Sequence, residues 1–282
     1  MPYKVLTLDL DDTLLRDDLT ISDRTRQALW DAQERGTTLV LASGRPTGAM
    51  VRYARELELA RFGGYLISFN GAVVTECRTG EVLFEQSLSK QSLHELHDLS
   101  VSHKLFILSY RDDTIITPRK NPYTDIEARL TGMPVHEVAD FKAFMDGPAT
   151  KVILLEEPTY LKATSERIRP VVEGRMNMTI SKPFFLEFMD RGIDKRKSLE
   201  FLVDRLGFTA ADVMAVGDSY NDLGMITWAG LGICMANGPA DVRARADAVT
   251  GSNEADGVAE AVDRYLFGEL TTENQAPAET RR

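Results

Sequence analysis

The chain has 282 residues, 43% apolar and 27% charged, the balance of a water-soluble globular protein with room for one large domain or two modest ones. No apolar run approaches the roughly 20 residues that cross a bilayer. The start, Met1-Pro2-Tyr3-Lys4, leads straight into a strand-like stretch with no secretory signal ahead of it, so a cytoplasmic home is expected. The formal net charge of -10 disfavours nucleic acid and membrane surfaces as partners. It also repels phosphorylated small molecules, so a phosphate-handling site here has to gather positive charge locally.

In chain order, residues 5–8 read as a short buried strand. Ser22 can cap a helix running to about Arg35, where Gly36 stops it. A second strand is predicted at 38–42, a helix at about 47–57 and a third strand at 65–69. Near-continuous apolar strands alternating with helices imply a parallel sheet covered on both faces. Asn70-Gly71 then predicts a hairpin into Ala72-Val73-Val74. The middle of the chain changes pattern: a helix at about 89–102, strands at 104–110, 114–117 and 151–155, a helix at about 159–173, and strands at 176–181 and 184–189. Closely spaced strands with short turns imply an antiparallel sheet with helices packed on it. The parallel pattern returns with a helix at 197–206, a strand at 213–217, a helix from about 221, a strand at 231–235, a helix at 240–245 and a last strand at 248–250. The fold class is therefore α/β: a Rossmann-like parallel-sheet core (1–83 and 188–270) with an inserted α/β domain (84–187). The polar, aperiodic stretch 271–282 is expected to be disordered.

The residues that could carry chemistry fall at predicted strand ends, where open parallel sheets bind ligands. Asp9 and Asp11, in Asp9-Leu10-Asp11-Asp12-Thr13, are close enough to need a cation between them or a raised pKa on one; the alternative is an acidic turn. Ser43-Gly44 after the second strand offers a hydroxyl and amides for phosphate, or simply a turn with a serine cap. Asp218 and Asp222 can bind a metal, or cap a helix. Lys195 precedes a helix, where a lone lysine is ordinarily solvated. His94 and His97 stand three apart with His103 nearby but without Cys or carboxylate partners, so exposed helical histidines are expected rather than a metal site. Cys77 and Cys234, far apart and in no ligand spacing, read as buried free thiols.

Together, and in this order, the four segments resemble the motifs of the haloacid dehalogenase superfamily of phosphohydrolases. Phe69-Asn70-Gly71-Ala72, Met235-Ala236-Asn237-Gly238 and residues 253–258 resemble its Cof-type sugar phosphatases, and the insertion resembles their type IIB cap. The resemblance implies a Mg2+-dependent phosphatase acting on small phosphate monoesters, foremost sugar phosphates. Asp9 would be the nucleophile, forming an aspartyl-phosphate, and Asp11 the general acid and base. Mg2+ would be held by the Asp9 carboxylate, the Asp11 backbone carbonyl and Asp218, with Asp222 supporting them from behind. Ser43, Lys195, Asn221 and the amides of Leu10 and Gly44 would hold the phosphoryl oxygens. Arg45 would contact substrate or brace the cap. In the cap, Arg119, Lys120 and Tyr123 form a basic-aromatic loop that either recognises a sugar phosphate or is simply solvated. Asp12 and Arg196 stand where relatives commonly have glycine. A phosphosugar mutase and a non-catalytic binder of phosphometabolites are the competing readings; the intact Asp9 and Asp11 pair argues against the binder. The implied partner is a small phosphorylated metabolite, with no nucleic acid or membrane; the sequence leaves the oligomeric state open, a monomer being plausible.

Overall fold

The computed structural model describes residues 2–268, so the expected disordered tail lies outside the described residues. Strands β1 (Val5–Leu8), β2 (Thr38–Ala42), β3 (Tyr65–Ser68), β4 (Val73–Glu76) and β5 (Val82–Glu85) form half of a large sheet. The chain then builds a second sheet from β6 (Phe106–Arg111), β7 (Thr114–Thr117), β8 (Val135–Glu137), β9 (Val152–Leu155), β10 (Met176–Lys182) and β11 (Phe185–Asp190). It returns to complete the first with β12 (Val213–Gly217), β13 (Leu231–Met235) and β14 (Ala248–Thr250).

The large sheet has the order β14-β13-β12-β1-β2-β3-β4-β5, parallel from β14 to β3 and antiparallel across β4 and β5. Alternation along the strands supplies both faces. Leu6, Leu8, Leu39 and Leu41 pack on one side with Leu29 and Val262, while Val5, Val40, Ala42 and Val213 meet Leu199 and Leu202 on the other. From β1 the chain proceeds outward through β2 and β3, and from β12 outward through β13 and β14. That reversal of direction leaves a crevice at the carboxyl ends of β1 and β12.

The smaller sheet runs β10-β11-β9-β6-β7-β8 and is antiparallel apart from the β7–β8 pair. One face (Leu186, Phe188, Val152, Leu154) is covered by the helices Lys90–Ser102 and Pro158–Val172. The other (Phe185, Ile153, Leu108, Tyr110) turns toward Phe69 of the core. The predicted helix caps form: Ser22 accepts the Thr25 amide at 3.1 Å, and Ser89 that of Ser92 at 3.1 Å. Among the described residues, no helix is long and apolar enough to cross a membrane.

Three differences from the sequence reading have local causes. Sheet pairing puts Phe84 and Glu85 with the core, because β5 completes a hairpin on β4, and Phe188 to Asp190 with the smaller sheet. The insertion therefore begins and ends a few residues later than 84 and 187. Residues Pro122–Thr131 form a helix that the loop reading of 119–123 passed over, although Asn121 and Thr124 make a reciprocal capping box with proline at the first turn. Finally, Asp12 adopts φ +59°, a left-handed backbone that glycine adopts freely and aspartate tolerates. Asp12→Gly is expected to change the unfolding free energy by no more than about 1 kcal/mol, as chemical unfolding would show.

Candidate active site

Asp9 leaves the end of β1 with its amide still bonded to the Val216 carbonyl of β12 at 3.0 Å. Its Oδ1 accepts from Lys195 Nζ at 2.5 Å, and the same ammonium donates to Asp222 Oδ1 at 2.7 Å. Lys195 is 1% exposed, so it is a buried ion pair and not the solvated lysine that its isolated sequence context suggests. Its place is fixed by the turn after β3. Gly71 has φ +104° and sits so tightly on Asp194 that a Cβ would lie 2.6 Å from the Asp194 carbonyl oxygen. Ser198 donates to the Gly71 carbonyl at 2.5 Å, and Asp194 caps the helix Lys195–Arg205 through the Arg196 amide. Arg196 itself has no positive φ, so the path there needs no glycine. The Asn70-Gly71 turn is thus both the predicted hairpin and the brace that aims the lysine.

Asp222 uses its second oxygen on the amides of Asp218 (3.1 Å) and Ser219 (3.0 Å), tying down the loop after β12. Gly217 makes room for it, since a Cβ there would stand 2.5 Å from Asp222 Cβ. Asp218 Oδ1 accepts from the Thr13 hydroxyl at 2.9 Å. The loop after β1 is held in turn by Asn237, which donates to the Asp12 carbonyl at 2.7 Å, and by Asn253, which donates to the Leu15 carbonyl at 3.1 Å. The segments around 237 and 253 therefore buttress the aspartate loop.

Asp9, Asp218 and Asp222 each bring a carboxylate oxygen within 4.8 Å of the others, with one ammonium among them. Burial, then Asp222, pushes Asp9 well above the usual carboxylate range despite Lys195. Burial and Asp222 likewise push Asp218 up to about 6. Burial alone would lower Lys195, but Asp222 and Asp9 outweigh it and hold its pKa above the ordinary value. This excess of negative charge, made of hard oxygen donors, fits a divalent cation such as Mg2+. Asp222 already spends both oxygens on protein donors, so Asp9 and Asp218 are the carboxylates free to hold it.

The sign of the Asp218 effect gives a test. A carboxyl whose folded pKa is raised favours the fold below pH 3.8 and loses that contribution as the pH climbs through about 6. At pH 7 without metal, Asp218→Asn should therefore stabilise the protein by up to roughly 3 kcal/mol, a rise of several degrees in Tm. The same variant should lose most of the further rise that Mg2+ gives the parent, as melts in EDTA and in Mg2+ would show.

Around this floor, Ser43 follows β2, is 1% exposed and accepts the Arg45 amide at 3.2 Å. Gly44 lies under the Asn70 side chain, whose Oδ1 accepts from Asn221 at 3.1 Å. Leu10 anchors the aspartate loop with a fully buried side chain. Arg45 forks onto Asp11 through Nε (2.8 Å) and Nη2 (2.5 Å) while Nη1 donates to the Leu130 carbonyl of the cap at 3.2 Å. It thus links the aspartate loop to the cap and also lines the cavity between them.

A cavity of about 480 Å³ lies between the two sheets. Asp9, Asp11, Ser43, Asn221 and Asp218 form its floor, and Glu127, Lys151, Ser181, Lys182, Phe185 and Glu187 its roof. Arg119, Lys120 and Tyr123 do not line it. Arg119 and Lys120 are exposed, Arg119 lying 4.7 Å over the Phe106 ring, and Tyr123 is stacked on Phe184 at 5.7 Å. The roof residues were missed, although a charge inside an apolar strand is a signal of burial with a partner: Lys151 opens Val152–Leu155 and Glu187 interrupts Phe185–Asp190. His94 and His97 take no part; His97 is stacked on Phe141 at 5.5 Å, half-buried where an exposed ring was expected. Cys234 is a buried free thiol as expected, and Cys77 is free but only partly buried.

A parallel sheet with acids at its carboxyl edge, roofed by a second inserted sheet, is the architecture of a capped hydrolase of phosphoric monoesters. A sequence model of the haloacid dehalogenase-like hydrolases matches residues 6–262, and the chain belongs to that family. It is 36% identical over 267 residues to the protein named "Putative phosphatase YxeH" of Bacillus subtilis, covering 94% of this chain and 99% of that one. It is 29% identical to the 5-amino-6-(5-phospho-D-ribitylamino)uracil phosphatase YcsE of the same organism, over 94% of this chain and 96% of that protein. The crystal structure of a haloacid dehalogenase-like hydrolase from Bacteroides thetaiotaomicron superposes with a TM-score of 0.90 at 38% identity, covering 93% of this chain and 99% of that one.

Proposed function

We propose that this enzyme hydrolyses small phosphate monoesters, foremost those of sugars and related polyols, through a phosphoryl group carried on Asp9. The observation that supports this most is the buried Asp9–Lys195–Asp222 ion pair at the base of a roofed cavity that also holds Asp11. Asp9 would attack phosphorus as the ester P–O bond breaks, and Asp11 would give its proton to the departing alkoxide. Water would then attack the aspartyl-phosphate with Asp11 as base, releasing orthophosphate and restoring Asp9. Lys195 holds Asp9 in line and offsets charge on the phosphoryl oxygens, which Ser43, Asn221 and the Leu10 and Gly44 amides would also contact. Mg2+, held by Asp9 and Asp218, would screen the anionic nucleophile from the anionic substrate.

The cap is read as a lid. Its two linkers run side by side, with Gln86 donating to Asp190 Oδ1 (2.5 Å) and to the Arg191 carbonyl (3.0 Å), and closure over the floor would exclude water. Relatives that act on a phosphoribityl compound are consistent with a polyol leaving group. The test is orthophosphate release across a panel of metabolite monoesters with Mg2+, then with EDTA. Release from polyol and sugar phosphates, lost in EDTA and regained with Mg2+, is expected; turnover only of phosphoproteins or polynucleotides would refute the reading.

A further inference from the structure

We infer that the roof of the cavity selects the alcohol half of the substrate for being neutral and hydroxylated, and turns away a second anionic group. This rests on the phosphatase reading above and adds to it the chemical class of the leaving group. The floor accounts for the phosphate and the roof faces whatever the phosphate is esterified to. Two acids dominate that roof, each largely buried. Glu127, 5% exposed, accepts the Tyr110 hydroxyl at 2.6 Å, and Glu187, 9% exposed, accepts the Ser181 hydroxyl at 2.7 Å.

The one buried cation in the roof, Lys151, is already spoken for. Its Nζ lies 3.3 Å from Glu187 Oε2 and donates to the Gly44 carbonyl of the core at 3.2 Å. Lys182, the other roof cation, is exposed at the mouth, where it acts electrostatically on Asp12. A second phosphate or a carboxylate on the leaving group would thus enter a space lined by two buried carboxyls whose one buried cation is already paired, and the unpaired ammonium among the roof residues, that of Lys182, is exposed to solvent. Burial pushes the Glu127 carboxyl up, but in neither protonation state does it supply one. Hydroxyls fare differently: they can donate to the acids or to the Ser181 oxygen and accept the remaining N–H of Lys151. Phe185, 2% exposed, adds an apolar wall for the C–H face of a polyol chain. The pattern of acceptors beside an aromatic face suits a sugar or sugar alcohol.

Glucitol 6-phosphate and 6-phosphogluconate test this as a matched pair, sharing an open carbon chain and differing at one end by a hydroxymethyl against a carboxylate. The parent enzyme with Mg2+ is expected to favour glucitol 6-phosphate in kcat/KM by roughly 30-fold or more. Glu187→Gln leaves Lys151 without its carboxylate partner and should shrink that ratio at least about tenfold, or invert it. Because each ratio compares two substrates on one preparation, partial misfolding of the variant does not distort it. Equal turnover of the two esters by the parent, a preference for 6-phosphogluconate, or an unchanged ratio in Glu187→Gln would overturn the inference. So would hydrolysis of p-nitrophenyl phosphate with neither polyol ester accepted, while the phosphatase reading stood. Failure to hydrolyse any of the three would overturn that reading and this inference with it.

Discussion

Asp9→Asn should abolish turnover of every ester, a loss of about five orders of magnitude or more, in a protein that still folds. An amide oxygen still accepts the hydrogen bond from Lys195, so the buried lysine keeps a partner, but the side chain can no longer form an acyl phosphate. Asp11→Asn should fail differently. Its carboxylate is half-exposed and paired to Arg45, so the fold loses little, and Asp9 remains able to attack. With p-nitrophenyl phosphate, whose leaving group departs without protonation, the first step should proceed and the second, which needs the base, should stall. A burst of p-nitrophenolate followed by slow turnover is the expected trace. Equal residual rates in the two variants would contradict the division of roles.

Lys195→Met should be the most damaging change to the fold itself. It removes the only ammonium shared by Asp9 and Asp222, both buried, and leaves two carboxylates repelling each other beneath the core sheet. Breaking a buried pair from one side costs about 3–5 kcal/mol. The variant should recover stability as the pH falls and Asp9, which burial already holds well above the usual carboxylate range, takes up a proton, the reverse of ordinary acid denaturation. Chemical unfolding at pH 7.5 and at pH 5.5 reads this directly; a variant equally stable at both would show that the pair does not hold the site together. On the proposed mechanism, activity should fall by about a thousandfold even where the protein folds, since the phosphoryl oxygens would lose a fixed cation.

Much of this was legible beforehand, and the reasons are particular. Residues 5–8, 38–42, 213–217 and 231–235 are near-continuous apolar runs, and a strand buried on both faces has few other readings. The meeting of Asp9 with Lys195, 186 residues apart, was not legible from either residue alone. It is made by topology, and it was anticipated only because four motifs in order resembled a known family. The cap was read less well. Arg119, Lys120 and Tyr123 form a basic-aromatic loop in sequence, but none of the three lines the cavity, and Arg119 and Lys120 are exposed. Of the residues that do face the cavity, Lys151 stands just ahead of the apolar strand Val152–Leu155 and Glu187 lies within Phe185–Asp190, and strand alternation gives a side chain's face without telling which face meets the core. Glu127 sat in a helix whose capping box went unread.

The account stands or falls on the phosphoryl group at Asp9. Asp11→Asn, mixed with p-nitrophenyl phosphate and Mg2+, quenched within the first turnovers and reduced with borohydride, should yield homoserine at position 9 in the peptide spanning residues 5–16. Treated identically, Asp9→Asn should yield none. Orthophosphate released at an undiminished rate by Asp11→Asn, with no modification at position 9, would mean that water attacks phosphorus directly, and the central claim would be wrong.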